Sequence, residues 1–324
     1  MTPHRVLLVK TSSMGDLVHT LSALEDVRAR RPDVIVDWVC EEAFQDIAGL
    51  SPCVGQVIPV AIRRWRRHWW AASTWREWRA AVGRLRAVSY DAVVDAQGLI
   101  KSSWITALAR CSAGERWGYD RHSIREPAAG LVLDQRVSAP RDLPAIERLR
   151  RLFGRSLGYT PEGPVSWLQP PAPAAGTSTI LFLHGTSRQE KSWPVPQWIE
   201  LGRALIDLGF RIELPWGSDH ERLCANSIAD ALGHCARVID KSSIRELADR
   251  LIAARGAIGV DTGLMHLSVA LGRPTVAVMS AAHIEKFSSN RFAPLWAPHA
   301  RVVESQAKRT VLAADVLRAW QDLA

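Results

Sequence analysis

The sequence predicts an α/β protein built from two parallel-sheet domains, and three features carry that prediction. Short apolar runs alternate with amphipathic stretches of helical length, the order expected of successive βαβ units. The alternation stops at Q-P-P-A-P-A-A-G, residues 169–176, too rich in proline for regular structure, and then begins again. The 324 residues are also about twice the usual length of one domain. These features predict domains at 1–168 and 177–324 joined by a linker at 169–176.

The first series opens with a strand at 5–10 and continues with strands at 34–40, 56–60 and 91–97. Helices are expected at 16–30, 64–87 and 102–110, and one at 143–157 closes the series. The second series sets strands at 179–185, 211–217, 236–240, 256–261 and 274–280, with helices between them and an amphipathic helix at about 311–323. In open parallel sheets, ligands collect where the carboxyl ends of strands meet helix N-termini, so the residues after each strand are the ones to read for chemistry.

Composition narrows the class. With 47% hydrophobic and 23% charged residues the chain matches neither disordered, collagen-like nor coiled-coil proteins. No apolar run reaches the ~18 residues of a membrane span, which predicts a cytosolic protein. Five scattered cysteines without C-x-x-C or metal spacing argue against disulfides and structural zinc. The net charge of +8 is uneven, because residues 1–160 hold 24 Lys+Arg against 17 Asp+Glu and the remainder is nearly balanced. Arginine supplies 35 of the 41 basic residues, and its planar fork suits phosphates and carboxylates, so the first domain is expected to meet an anionic partner.

Several loops carry candidate chemistry. After the first strand, Lys10-Thr11-Ser12-Ser13-Met14-Gly15-Asp16 combines small hydroxyl residues, a glycine and a carboxylate at a helix start; Asp16 serves chemistry or only caps the helix. Neither a P-loop nor G-x-G-x-x-G occurs, which disfavours nucleotide hydrolysis and dinucleotide binding. Gln97, at the end of the 91–97 strand, would bond a sugar hydroxyl or merely the loop backbone. Between Arg63 and Arg86, eight arginines interleave with Trp65, Trp69, Trp70, Trp75 and Trp78. This face fits single-stranded nucleic acid or an acidic lipid head group beside its acyl chains, or is a solvated helix with its tryptophans in the core. In the second half, Thr186, Ser187 and Lys191 offer hydroxyls and one cation for a diphosphate, and Asp261, Thr262, Gly263 and His266 repeat the strand-to-helix transition.

In order, V-K-T-S-S-M-G-D, V-I-P-V-A-I-R-R-W-R, D-A-Q-G-L-I-K-S, I-R-E-P, F-L-H-G-T-S…K-S-W-P, L-P-W-G and V-D-T-G-L-M-H-L resemble the bacterial lipopolysaccharide heptosyltransferases from about residue 5 to 279. The resemblance implies a GT-B fold, two Rossmann-like domains facing across a cleft, whose last helix packs back on the N-terminal domain. It also implies inverting transfer of L-glycero-D-manno-heptose from ADP-heptose to the inner Kdo of Kdo2-lipid A, with ADP-heptose as substrate and with no cofactor or metal. Asp16 would be the general base. Thr186, Ser187, Lys191, Glu221, Ser242, Asp261, Thr262, Gly263 and His266 would hold the donor. Lys10, Ser12, Ser13, Arg63, Arg64, Arg66, Arg67, Gln97 and Arg125 would hold the acceptor, at the cytoplasmic face of the inner membrane, where a basic domain is drawn peripherally to anionic lipid. A sister transferase adding a later heptose, and an Arg/Trp nucleic-acid binder, are the alternatives. M-S-A-A-H-I-E-K at 279–286 departs from the family pattern, as does Ser242, where a more apolar base contact is expected.

Overall fold

The computed structural model describes residues 4–111, 115–186, 188–279, 297–305 and 310–323. The chain separates into two compact units, Met1–Ser166 and Trp167–Ala324.

The first unit runs β1 (His4–Val9), α1 (Met14–Arg30), β2 (Val34–Glu41), α2 (Gln45–Ala48), β3 (Val54–Val60), α3 (Ile62–Arg67) and α4 (Ala72–Arg86). It continues through β4 (Ser89–Tyr90), β5 (Ala92–Asp95), α5 (Ile100–Leu108), β6 (Arg110–Cys111), β7 (Arg116–Tyr119), β8 (Gln135–Val137) and α6 (Ala145–Leu157). Six of these strands form one parallel sheet in the order β3-β2-β1-β5-β7-β8, while β4 and β6 pair separately. Its central strands are apolar on both faces, as strands covered from both sides must be. On one side, Leu7, Val9, Val39, Ile58 and Val93 pack with Ala81 and Leu85 of α4. On another, α6 lies on α1, fixed by a buried ion pair between Arg150 and Asp26.

The second unit repeats the plan with β9 (Thr179–Leu183), α7 (Val195–Asp207), β10 (Arg211–Leu214), α8 (Asp219–Leu232), β11 (Ala236–Val238) and α9 (Ile244–Ala253). There follow β12 (Gly256–Val260), α10 (Gly263–Ala270), β13 (Thr275–Met279), β14 (Ala300–Glu304) and α11 (Ala313–Gln321). Its parallel sheet has the order β11-β10-β9-β12-β13-β14. The prolines at 169–176 run along this unit, where the Arg273 guanidinium donates to the carbonyls of Pro170 and Pro171 at 3.3 and 3.0 Å. The terminal helix, expected to cross back to the first domain, buries Val316 and Trp320 in the core of its own unit, beside Phe210 and against α7.

Each sheet therefore reverses direction once, between β1 and β5 and between β9 and β12. Strand order places ligand crevices at those two points, outside the carboxyl ends of the strands.

Candidate active site

The carboxyl ends of β1 and β5 lie side by side, with Val9 paired to Asp95. Their two loops are joined by one side chain. Gln97 Oε1 accepts from the Thr11 and Ser12 amides at 3.0 and 3.2 Å, so Gln97 holds the loop rather than standing ready for a sugar hydroxyl. Asp95 is buried and fixes the second loop, accepting from the Gln97 and Gly98 amides and the Ser102 hydroxyl at 2.9 Å each. Burial raises the Asp95 pKa, opposed by those bonds. Gly98 makes the turn with φ of 66°, a left-handed conformation that favours glycine.

Ser13 caps α1, and Asp16 in the first turn reaches back so that Oδ2 accepts from both the Ser13 amide and its hydroxyl at 2.9 Å. The other oxygen, Oδ1, lies 3.8 Å from Lys10 Nζ, which itself donates to the Ala96 carbonyl at 3.0 Å. Asp16 thus does both things its sequence context allows: it caps the helix and keeps a carboxylate face, about one third exposed, beside a buried cation. Burial pushes the Asp16 carboxyl up, but Lys10 and the Ser13 hydrogen bonds outweigh it and hold the pKa below its ordinary value. Burial lowers the Lys10 pKa, with Asp16 opposing.

The basic residues around this loop divide into two kinds. Arg64 is held within the fold, paired with Glu42 at 2.9 Å and Glu77 at 2.8 Å, which makes it a brace between the segment after β2 and α4. Arg63, Arg66, Arg67 and Arg125 are exposed and make no ion pair with a carboxylate among the described residues. Lys101 belongs with them and was not among the candidate residues. It donates to Ser12 Oγ at 3.2 Å, and its pKa is lowered by burial and by Arg63, Arg125 and Arg66 nearby, with Glu41 opposing. The motif D-A-Q-G-L-I-K-S contained it; only its position in the first turn of α5 brings it back to the loop after β1.

In the second unit, Leu183 of β9 pairs with Gly259 of β12, so the loops after these strands are neighbours. Asp261 accepts from Lys191 Nζ at 2.6 Å and contacts His266 Nε2 at 3.2 Å, with both acidic and imidazole side chains 7% exposed. Thr262 is the N-cap of α10, and Gly263 opens that helix, so its free amides face the same region as Lys191. Thr186 Oγ1 accepts from the Arg188 amide at 3.5 Å. Glu221, in the first turn of α8, accepts at Oε2 from the Gly217 and Ser218 amides at 2.7 and 3.1 Å. Its carboxylate lies against Gly185, where an added Cβ would come within 2.7 Å of Glu221 Cδ. Ser242 donates to the Asp240 carbonyl at 2.8 Å and is half-buried. Ser187 and the departure at 280–286 lie outside the described residues. Among the described residues no group of three or more His, Cys, Asp or Glu is arranged to hold a metal ion.

Two doubly wound domains, one presenting a carboxylate with cations and the other a lysine with helix N-termini at its switch point, are what a glycosyltransferase of the GT-B fold carries, and the comparisons place the chain in that class. Residues 78–312 match the model of glycosyltransferase family 9 (heptosyltransferase). Lipopolysaccharide heptosyltransferase 1 of Escherichia coli strain K12 is 42% identical over 280 residues, 85% of this chain and 87% of that protein. The structure of E. coli heptosyltransferase WaaC with ADP superposes with a TM-score of 0.89 at 36% identity, covering 99% of this chain and 100% of that one. The same enzyme with ADP-2-deoxy-2-fluoro heptose gives 0.86 at the same identity and coverage. The chain belongs to glycosyltransferase family 9, the heptosyltransferases.

Proposed function

We propose that the protein transfers L-glycero-D-manno-heptose from ADP-heptose to the inner Kdo of Kdo2-lipid A, with inversion at the anomeric carbon. The observation that carries this reading is the Lys10–Asp16 pair at the end of β1, set among exposed arginines in a chain 99% of which is matched by a relative solved with an ADP-heptose analogue.

The acceptor hydroxyl oxygen forms a bond to the anomeric carbon as the bond from that carbon to the diphosphate oxygen breaks, its electron pair leaving on ADP. The hydroxyl proton goes to the Asp16 carboxylate. A lowered pKa makes Asp16 a weak base in the ground state, but a hydroxyl attacking an oxocarbenium-like centre becomes acidic as the bond forms, so placement outweighs strength. Charge accumulating on the departing diphosphate meets Lys191, Thr186, Ser187 and the amides at Thr262 and Gly263. Asp261 and His266 set the position of Lys191. Glu221 receives the adenosine ribose hydroxyls, and Ser242 lies toward the base.

On the acceptor side, Lys10, Ser12, Ser13, Arg63, Arg66, Arg67, Lys101 and Arg125 meet Kdo carboxylates and lipid A phosphates, with Arg64 and Gln97 as supports. Such an acceptor brings the enzyme to the cytoplasmic face of the inner membrane as a peripheral protein. Among the described residues, no helix is long and apolar enough to cross a membrane.

The direct test is ADP release from ADP-heptose by the purified protein, with deacylated Kdo2-lipid A as acceptor. Acceptor-dependent release is expected. Release only with an acceptor already carrying one heptose would move the reaction to a later step, and release with neither would overturn the reading. Within the reaction, Arg63→Ala and Arg125→Ala are each expected to raise the acceptor KM by about tenfold while leaving the donor KM unchanged, since each removes one charge-assisted contact. On the donor side, Gly185→Ala is expected to raise the ADP-heptose KM by about tenfold. The new methyl pushes the Glu221 carboxylate away from its amide donors, and initial rates against donor concentration read the change.

A further inference from the structure

Beside the acceptor cations, α3, α4 and α5 frame an apolar groove of about 450 Å³ in the first unit. Trp65, Trp69, Trp75, Trp78 and Trp104 line it over a floor that includes Val39, Ile58 and Val60 of the sheet. Three of these indoles are far more exposed than core residues, Trp69 at 65%, Trp75 at 51% and Trp104 at 68%. A concave apolar patch of this kind on a soluble domain marks a binding surface, and its volume is within the range of small-ligand sites.

We propose that this groove receives an acyl chain of the lipid acceptor, while the cations at its rim hold that lipid's anionic head group. The inference rests on the acceptor reading above and adds a second, apolar subsite to it.

The interior offers the ligand little to hydrogen-bond. The Thr74 hydroxyl already donates to the His68 carbonyl at 2.8 Å, and the Trp65 indole donates to Glu77 at 2.8 Å. Nor do the rings form a flat shelf for nucleobases. Trp75 and Trp78 meet edge to face at 67°, which suits a flexible hydrocarbon chain better than a stacked base. Charge lies at the rim: Arg66 and Lys101 both line the groove. Lys101 is also 3.2 Å from Ser12 Oγ in the loop that carries Asp16, so one cation borders both the apolar space and the site of proton transfer. A single anionic amphiphile matches this order of apolar wall, cation and carboxylate base.

Two measurements test it. The first compares acceptor KM for Kdo2-lipid A in nonionic-detergent micelles and for its fully deacylated form, in the wild type, in Trp75→Ser/Trp104→Ser and in Trp70→Ser. Trp70 is 67% exposed but does not line the groove. The wild type should show at least a tenfold lower KM for the acylated acceptor, since burial of a few methylenes suffices for that. The double variant should lose this preference with kcat and the deacylated KM unchanged, and Trp70→Ser should retain it. Equal wild-type KM values, an equal rise for both acceptors in the double variant, or the same loss in Trp70→Ser would overturn the proposal. The second measurement needs no turnover: a lysophosphatidic acid brominated on its chain should quench wild-type tryptophan fluorescence, and less so in the double variant. Quenching with loss of activity toward every acceptor would keep the groove and reject the transferase reading; absence of quenching, or equal quenching in both proteins, would reject the groove.

Discussion

Asp16→Asn is expected to bind ADP-heptose normally and to lose roughly 10²- to 10⁴-fold in kcat, the contribution of a positioned general base. Asparagine can still accept from the Ser13 amide, so the start of α1 should survive and the loss should be chemical; an unchanged melting temperature checks this. Unchanged turnover would leave Asp16 as a helix cap and assign the proton elsewhere. The pH profile supplies an independent check. Asp16 works ionised, and its pKa is held below the ordinary 3.8, so activity is lost only as pH falls through that lower value. Between about pH 5 and 8, Asp16 should therefore contribute no acid limb to kcat/KM. An acid limb centred at pH 5 or above, absent in Asp16→Asn, would mean the carboxyl is not held down by Lys10 and Ser13. The same depression stabilises the fold fully above the ordinary carboxyl pKa, and that stability is lost as pH falls through the lower folded value.

Lys191→Ala should be the largest donor-side loss, about 10²- to 10³-fold in kcat/KM for ADP-heptose, because it removes the lysine proposed to meet the leaving diphosphate. It should also lower the melting temperature. Its partner Asp261, 7% exposed, would lose the lysine and keep its charge in a buried place. Pairing the change with Asp261→Asn separates the two effects. The double variant should recover thermal stability and not turnover. Recovery of turnover as well would show that Lys191 acts by neutralising Asp261 and not on the diphosphate.

The parallel strands nearest both switch points were legible because each is a continuous apolar run, V-L-L-V or A-V-V-D or T-I-L-F-L, ending in polar residues. The outlying strands β7, β8 and β14 were not, since Arg116–Tyr119 and Gln135–Val137 are short and half polar and look like loop until the sheet supplies their partners. The expected helix at 64–87 is two helices, α3 and α4, separated at 68–71. No proline or glycine marks that break, and the Thr74 hydroxyl bonded to the His68 carbonyl helps set the turn. Asp16 and Lys191 were legible as candidates because strand-to-helix loops announce themselves. What charge counting could not do was sort the arginines. Arg64 and Arg63 are adjacent and chemically identical, but Glu42 and Glu77, 22 residues before and 13 after, converge on Arg64 alone. Only the fold brings those carboxylates together.

The Gln97 side chain bonded to the Thr11 and Ser12 amides has an evolutionary consequence. The loop that carries Asp16 takes its place from the register of β1 on β5, deep in the sheet, and not from α3 or α4. The exposed residues from α3 to α4, outside the Arg64 brace, can therefore change without moving that loop. On the proposed reading, a lineage can retune what it recognises by rewriting that surface while the Asp16 carboxylate stays where it was.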